Sequence, residues 1–399
     1  MSETSQVVQG PFRVNTSIGA VKSIISSEWF RRPDDERFLD LQTLHDSVES
    51  RRSNSFEETV DAGGLRFVGS DEEPDTLRGV TPSGAEVFPT HWSFGQLTGL
   101  AKMNRATEIL RSQPSWLAGL NLSWGLAKHS RGLRTKVYGN RDNKKLVAAT
   151  GPDYGRIWDA DVVKLVMRLA GNGTSDTRWK VPGVLNWQDM THNPYVDVTR
   201  SNTTLYASDR DVCIFLCDDT HPIEIGRLAN GDPDLAFQGF YILNSEVGFR
   251  ALKMATFWLR GVCLNRNLWG VTDFSELTIV HRKYGNDRFL REAEPALSSF
   301  VSGNTTTLLA GINAAKAANV ASDNEERMKF LTSEALGFSL KKAQAILETH
   351  EREEGRPAST AWDFNNAITA FAREIPRQDE RLDMEIVAAK IMDRATRNA

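Results

Sequence analysis

The stretch 239–273, GFYILNSEVGFRALKMATFWLRGVCLNRNLWGVTD, constrains the chain most, because its density of apolar residues leaves few ways to fold it. Residues 240–243 form a short apolar run of strand type. Asn244 or Ser245 can accept from the first N–H groups of a following helix, with Glu246 in its first turn at the positive end of the dipole. From 247 to 262 apolar residues occupy most of a helical circumference, which predicts a helix buried between other elements. On that helix Arg250, Lys253 and Arg260 project within about 80° of one another. Such a basic edge suits an anion-binding groove, and equally an ordinary solvated edge.

With 399 residues the chain is long enough for two or three domains. It divides into a loosely structured N-terminal segment over 1–89, a mixed core over 90–300 and a helical C-terminal region over 301–399. A weak strand pair is expected near 66–68 and 85–88. The net charge of −4 excludes a uniformly basic nucleic-acid coat and confines any polyanion site to a local patch. Cys213, Cys217 and Cys263 are too few for a disulfide framework and odd in number, which suits a reducing cytoplasm. Cys213 and Cys217 share a face of a predicted strand without C-x-x-C spacing, so they read as small buried thiols. The N-terminus lacks a basic stretch followed by an apolar one, and no apolar run approaches about 18 residues, so neither secretion nor a membrane partner is expected.

Thr90 or Ser93 can cap a helix carrying Phe94, Leu97 and Leu100, and a second helix is predicted over 115–127. The most charged segment follows. Between 128 and 145, Lys128, Arg131, Arg134, Lys136, Arg141, Lys144 and Lys145 are opposed only by Asp142. Around them the pattern is a hairpin, with strands over 133–138 and 146–150 and a turn through Gly139-Asn140. A third strand over 154–158 and a helix over 160–170, capped by Asp159 and closed at Gly171, complete a β-β-β-α order. Phosphates are the commonest partners of such a patch, and Tyr138 is a candidate for stacking on a base. The plain alternative is a solvated hairpin edge kept from aggregating by its lysines.

A second hairpin is predicted over 203–217 about Asp209-Arg210, and a strand over 277–280 runs into Arg282, Lys283, Tyr284 and Arg288. Guanidinium and aromatic groups side by side suit base stacking and charge pairing together. From about 294 the chain is helical, with patterns over 308–320, 325–336, 340–351, 360–373 and 384–394. The fold class is thus α+β, antiparallel hairpins packed on helices with a helical C-terminal region. No P-loop, G-x-G-x-x-G, H-E-x-x-H, C-x-x-C or G-x-S-x-G occurs, so no cofactor is expected, and the sequence leans away from an enzyme while leaving that question open. The nearest chemical constellation is Asp218, Asp219, His221 and Glu224, carboxylates and an imidazole that could hold Mg²⁺ or Mn²⁺ for phosphodiester chemistry.

Three stretches, HWSFGQLTGLAKMNRATEILRSQPSWLAGLNLSWGLA (91–127), FYILNSEVGFRALKMATFWLRGVCLNRNLW (240–269) and STAWDFNNAITAFARE (359–374), occur in an order that resembles the phage and plasmid family catalogued as domain of unknown function 932. They resemble its Gln-Leu and Asn-rich helices, its Asn-Ser-Glu/Asp-x-Gly helix with a Cys-x-Asn turn, and its Asn-Ala-x-Thr helix. Asn265-Arg266-Asn267 departs from the Asn-Gly more usual there. The resemblance implies a phage or plasmid habitat and hence the cytoplasm of a bacterial host. A looser likeness at the level of fold, β-β-β-α with a basic hairpin, is to phage single-strand annealing recombinases. It implies a single-stranded DNA-binding protein, a homo-oligomer in rings or filaments, that acts in replication or recombination without a cofactor. Lys128, Arg131, Arg134, Lys136, Arg141, Lys144, Lys145, Arg250, Lys253, Arg282, Lys283 and Arg288 would then meet phosphates. The competing readings are a metal-dependent enzyme on nucleic acid and a host-protein-binding protein with no nucleic acid involved.

Overall fold

The computed structural model describes residues 34–139, 144–174, 177–182, 197–218, 220–227, 233–260, 268–269, 276–301, 306–372 and 374–375, with 384, 387, 388, 390 and 391. In chain order the elements are β1 (Arg37–Phe38), α1 (Leu41–Ser53), β2 (Ser55–Asp61), β3 (Arg66–Val68), β4 (Arg78–Val80), β5 (Glu86–Pro89), α2 (His91–Leu100), α3 (Thr107–Arg111) and α4 (Ser115–Lys128). Next come β6 (Gly132–Tyr138), β7 (Lys145–Thr150), α5 (Asp159–Ala170), β8 (Trp179–Lys180), β9 (Leu205–Ala207), β10 (Val212–Asp218), β11 (Ile223–Arg227), β12 (Pro233–Asn244), β13 (Leu252–Arg260), β14 (Leu268–Trp269) and β15 (Glu276–Ile279). The helices α6 (Gly285–Arg288), α7 (Glu294–Val301), α8 (Thr306–Ala317), α9 (Asn324–Leu331), α10 (Leu340–Glu354) and α11 (Ala361–Ala372) complete an α+β fold with a helical C-terminal region.

Two sheets carry the architecture. The smaller runs β2-β6-β7-β5-β4-β3, antiparallel except where β5 lies parallel to β7. The larger runs β1-β9-β10-β12-β13-β14, with β8, β11 and β15 paired along its sides. Against one face of the larger sheet pack Leu41, Leu44 and Val48 of α1 and Val162, Val163 and Val166 of α5, meeting Ile214, Leu216, Phe240, Ile242 and Met254. The intervening β10 residues Cys213, Phe215 and Cys217 join Tyr206, Tyr241 and Leu243 in a second apolar cluster, as the period of two along a strand requires. Under the smaller sheet Phe94 and Leu97 of α2 and Leu122 and Leu126 of α4 cover Phe67, Val87, Leu133 and Leu146. The C-terminal helices build their own core from Ile312, Leu331, Ile346, Trp362 and Ile368, joined to the larger sheet through Ile225 and Ala236.

Local chemistry explains the boundaries. Asp40 caps α1 by accepting from the Thr43 N–H, and Thr90 with Ser93 forms a capping box at α2. Gly171, at φ +77°, ends α5 in a conformation that side chains disfavour. Gly119 of α4 lies so near the Phe67 carbonyl that a Cβ there would approach it to 2.8 Å, so this helix sits directly on β3.

Several expectations are corrected. The helix over 247–262 does not form. Residues 233–260 make a long hairpin instead, with Leu243 opposite Lys253 and Phe240 opposite Thr256. The physical reason is that a strand buried on both faces has no polar alternation and so mimics a buried helix, while Gly248 at φ +86° turns the chain. Arg250, Lys253 and Arg260 therefore share no helical edge: Arg250 lies in the turn and the other two on β13. Residues 34–89 are not loose, because they supply α1 and β1 to β5, and β4 separates the two strands expected to pair near 66–68 and 85–88. The segment 154–158 runs without sheet pairing, and β2 provides the third strand beside the β6–β7 hairpin. Asp159 lies in the first turn of α5, after Trp158 at the cap position. The turn at 265–267, Cys263 and most of the last expected helix lie outside the described residues.

Candidate functional site

The turn between β12 and β13 brings Asn244, Ser245, Glu246 and Gly248 against the smaller sheet, and the strongest concentration of buried charge lies there. Lys136 of β6, with 3% of its side chain exposed, forms an ion pair with Glu246 Oε1. Glu246 Oε2 accepts from the Asp159 N–H at 3.3 Å, and Asn244 Nδ2 donates to Asp159 Oδ1 at 2.7 Å and to the Ile157 carbonyl at 3.0 Å. Below them Glu57 of β2 accepts from Arg156 Nε at 2.6 Å and from Arg134 Nη2 at 3.0 Å. Tyr154 donates to the Ser245 carbonyl at 3.1 Å and stacks on His281 with ring centroids 5.2 Å apart. Trp158 lies under three cations, Arg52, Lys136 and Arg156.

These contacts set the protonation states. Burial pushes the Asp159 carboxyl well above its usual range, and the neighbouring Glu246 charge pushes it the same way. For Glu246 burial acts upward, but the Lys136 ammonium, the Arg51 charge and the Asp159 N–H together outweigh it and hold the carboxylate below its usual range. Burial pulls Lys136 downward, against the attraction of Glu246. Burial, then the Arg156 charge, lowers His281 to about 4, so at neutral pH its Nδ1 is free to accept from the Ile157 N–H at 3.3 Å. The cluster is thus a densely bonded polar joint, with Asn244 Oδ1, His281 Nε2 and both terminal nitrogens of Arg156 buried and without a hydrogen-bond partner among the described residues, and what it can do chemically is fix the β12–β13 turn to the smaller sheet. Gln96 strengthens the same joint, donating to the Val247 carbonyl at 2.7 Å and accepting from the Ala149 N–H at 2.9 Å. Glu57, Arg156 and Trp158 carry no distinguishing pattern in the sequence; the signal for Asn244 and Glu246 was the Asn-Ser-Glu-x-Gly run.

The residues expected to meet phosphates separate into two groups. Lys136 is removed from solvent by Glu246, Arg134 is held by Glu57 and the Tyr154 carbonyl, and Arg250 is paired with Asp211 at 3.1 Å. Arg288 pairs with Glu292 at 2.7 Å. Lys145 is half-buried, and burial lowers its pKa. Tyr138 is half-buried against Val147, Ala148 and Val247, and Lys253 is half-buried on β13. These seven do not form one solvated phosphate-binding stripe. Arg141 lies outside the described residues.

By contrast Lys128, Arg131, Arg282, Lys283 and Tyr284 are exposed. Lys128 Nζ lies over the Trp124 ring at 4.6 Å, Lys283 Nζ over the Tyr284 ring at 5.7 Å, and half-buried Lys144 over Phe56 at 5.8 Å. The turn 151–155 links two of these groups. Gly132, next to Arg131, is placed so that a Cβ would contact Pro152 at 3.7 Å, and Gly155 abuts the Arg282 backbone too closely to admit any side chain. From 152 to 155 is at most about 11 Å of chain, so the backbone beside Arg131 and the backbone at Arg282 are held near one another, with exposed Asp153 in the linking turn.

The metal constellation is also redirected. Asp218 is 1% exposed, with Oδ2 bonded to Arg178 at 2.6 Å and near His221 Nδ1 at 3.1 Å, while Oδ1 accepts from the Thr220 N–H and hydroxyl. Glu224 turns to Arg227 at 3.3 Å, and Asp219 lies outside the described residues. Among the described residues no group of three or more His, Cys, Asp or Glu is placed to hold a metal ion. No helix there is long and apolar enough to cross a membrane. Comparison with protein-family models, with curated proteins and with solved structures finds no match.

Proposed function

We propose that the protein binds single-stranded nucleic acid, in the setting of phage or plasmid replication or recombination, along the surface formed by Arg131, Arg282, Lys283 and Tyr284. The observation that carries this reading is the contrast within the basic residues. Lys136, Arg134, Arg250 and Arg288 are taken up by carboxylates, whereas Arg131, Arg282 and Lys283 are exposed with no carboxylate partner among the described residues. Tyr284, 62% exposed beside Lys283, offers a π face next to a cation, the combination that holds unstacked bases. A single strand fits better than a duplex, because paired bases keep their faces covered. Holding and pairing strands in this way needs no nucleotide hydrolysis, in keeping with the absence of a P-loop. Under the same proposal the protein works in the cytoplasm of a bacterial host and belongs with the phage and plasmid family it resembles.

The variant Arg282→Ala/Lys283→Ala tests this. Each lost phosphate contact should reduce the slope of log affinity against log salt by about 0.7, so the double variant should lose about 1.4. Tyr284→Ala should weaken binding by about 1–3 kcal/mol with little change in slope. Arg288→Ala, whose partner is Glu292, should leave the slope unaltered. Equal slopes for the wild type and the double variant would remove this surface from the site.

A further inference from the structure

The outer face of α4 is unusual for a surface helix. Trp116, Leu120 and Trp124 recur every four residues, and they are 42%, 63% and 57% exposed. Ile109 of α3 adds another exposed apolar side chain. The opposite face of α4, with Ala118, Gly119, Leu122, Gly125 and Leu126, is already buried, so packing among the described residues does not explain this ridge. Contiguous apolar surface of this kind marks an interaction site.

Charge at the two ends selects the partner. At the N-terminal end the acidic loop, with exposed Asp71 and Glu72 and with Glu73 paired to Arg78 at 2.7 Å, is tied to the helix, through the Ser115 N–H to the Pro74 carbonyl and the Ser115 hydroxyl to the Glu73 carbonyl. At the C-terminal end Lys128 lies over Trp124, with no carboxylate partner among the described residues. We propose that this ridge is a self-association face, on which a second copy of the chain packs its own α4 antiparallel about a twofold axis through Leu120. In that arrangement Leu120 meets its counterpart, Trp116 meets Trp124 of the other copy, and Lys128 reaches past the N-terminus of the other copy's α4, where its acidic loop is tied. The apolar ridge and both charge contacts are then satisfied by one isologous interface. A polynucleotide along the same ridge would run into the acidic loop, which disfavours it as the occupant.

Covering half of each indole and most of a leucine removes on the order of 300 Å² of apolar surface per copy. Twice that, about 600 Å² of apolar surface before the polar rim is added, lies below the roughly 1,200 Å² of stable interfaces, so the dimer should be weak and transient. The test is made without nucleic acid, so its outcome does not depend on the surface proposed to bind it.

Sedimentation of the full chain over a concentration series should show a reversible monomer–dimer equilibrium, weakened at least roughly tenfold by Leu120→Glu. Lys128→Glu and Glu72→Lys should each weaken the homodimer, and mixing the two variants should restore association, since both contacts then pair opposite charges. The axis is tested by Leu120→Cys in a Cys263→Ser background, the other two cysteines being buried. A short bis-maleimide should join Leu120→Cys to itself. It should not join Trp116→Cys to itself, but should join Trp116→Cys to Trp124→Cys. A chain monomeric at all concentrations would overturn the proposal, as would a dimer unaffected by Leu120→Glu or cross-linking at Trp116→Cys alone.

Discussion

At the scale of single residues, the acid–base behaviour of the joint between the sheets gives two signed predictions. His281 is lowered from 6.5 to about 4 by burial and then by Arg156. A depressed folded pKa contributes stability that is present above the unfolded value and lost as pH falls through the folded one. Native stability should therefore decline between about pH 6.5 and pH 4, by about 3 kcal/mol from this group if the shift is fully expressed. His91, also lowered to about 4 by burial and then Arg111, adds in the same direction. His281→Gln should flatten the pH dependence of urea midpoints over that window; an unchanged profile would show that the imidazole is not held neutral. Asp159 has the opposite sign, because burial and Glu246 raise it. Its contribution is present below the ordinary carboxylate range and is lost as pH rises toward the folded value. Asp159→Asn keeps an oxygen for Asn244 to donate to and removes the titrating proton. Its stability relative to the wild type should rise with pH above about 5, and a uniform loss at every pH would mean that the carboxylate is ionised.

At the scale of elements, the β12–β13 turn is the most demanding local structure. Gly248 has φ +86°, and a Cβ there would come within 3.2 Å of Gln96 Nε2, which anchors the turn to α2. Gly248→Ala should cost about 1–2 kcal/mol in thermal or chemical unfolding, and an unaffected midpoint would contradict the assigned backbone. This same element was illegible in the sequence. The hairpin β6–β7 and the helices α2, α4 and α5 could be read from alternation, turn residues and end signals that lie within a few residues of each other. Of strands β12 and β13 only 240–243 was legible as strand, because the apolar run that continues through β13 lacks the alternation that separates strand from helix. The division of the cations was equally hidden. Whether a lysine or arginine is free for a ligand depended on carboxylates far along the chain: Glu57 is 77 residues from Arg134, and Glu246 is 110 from Lys136. The exposed pair Lys283 and Tyr284 was legible because both members are adjacent in sequence.

At the scale of the whole molecule, one feature links the fold to the proposed function. The charged joint at Lys136, Glu246 and Asp159 holds the β12–β13 turn to the smaller sheet, while Tyr154 and His281 stack beside it. Gly155 lets the backbone at Arg282 approach, so the loop bearing Arg282, Lys283 and Tyr284 is seated on the same support as Arg131. Cations paired with carboxylates serve as structure, and Arg131, Arg282 and Lys283 are the ones proposed to meet nucleic acid. The most direct test is fluorescence anisotropy of a labelled single-stranded oligonucleotide with the 399-residue chain, at low and at physiological salt, with a duplex of equal length as competitor. The account predicts binding that weakens steeply with salt and is displaced poorly by the duplex. Absence of binding at low salt, or equal displacement by duplex and single strand, would contradict it.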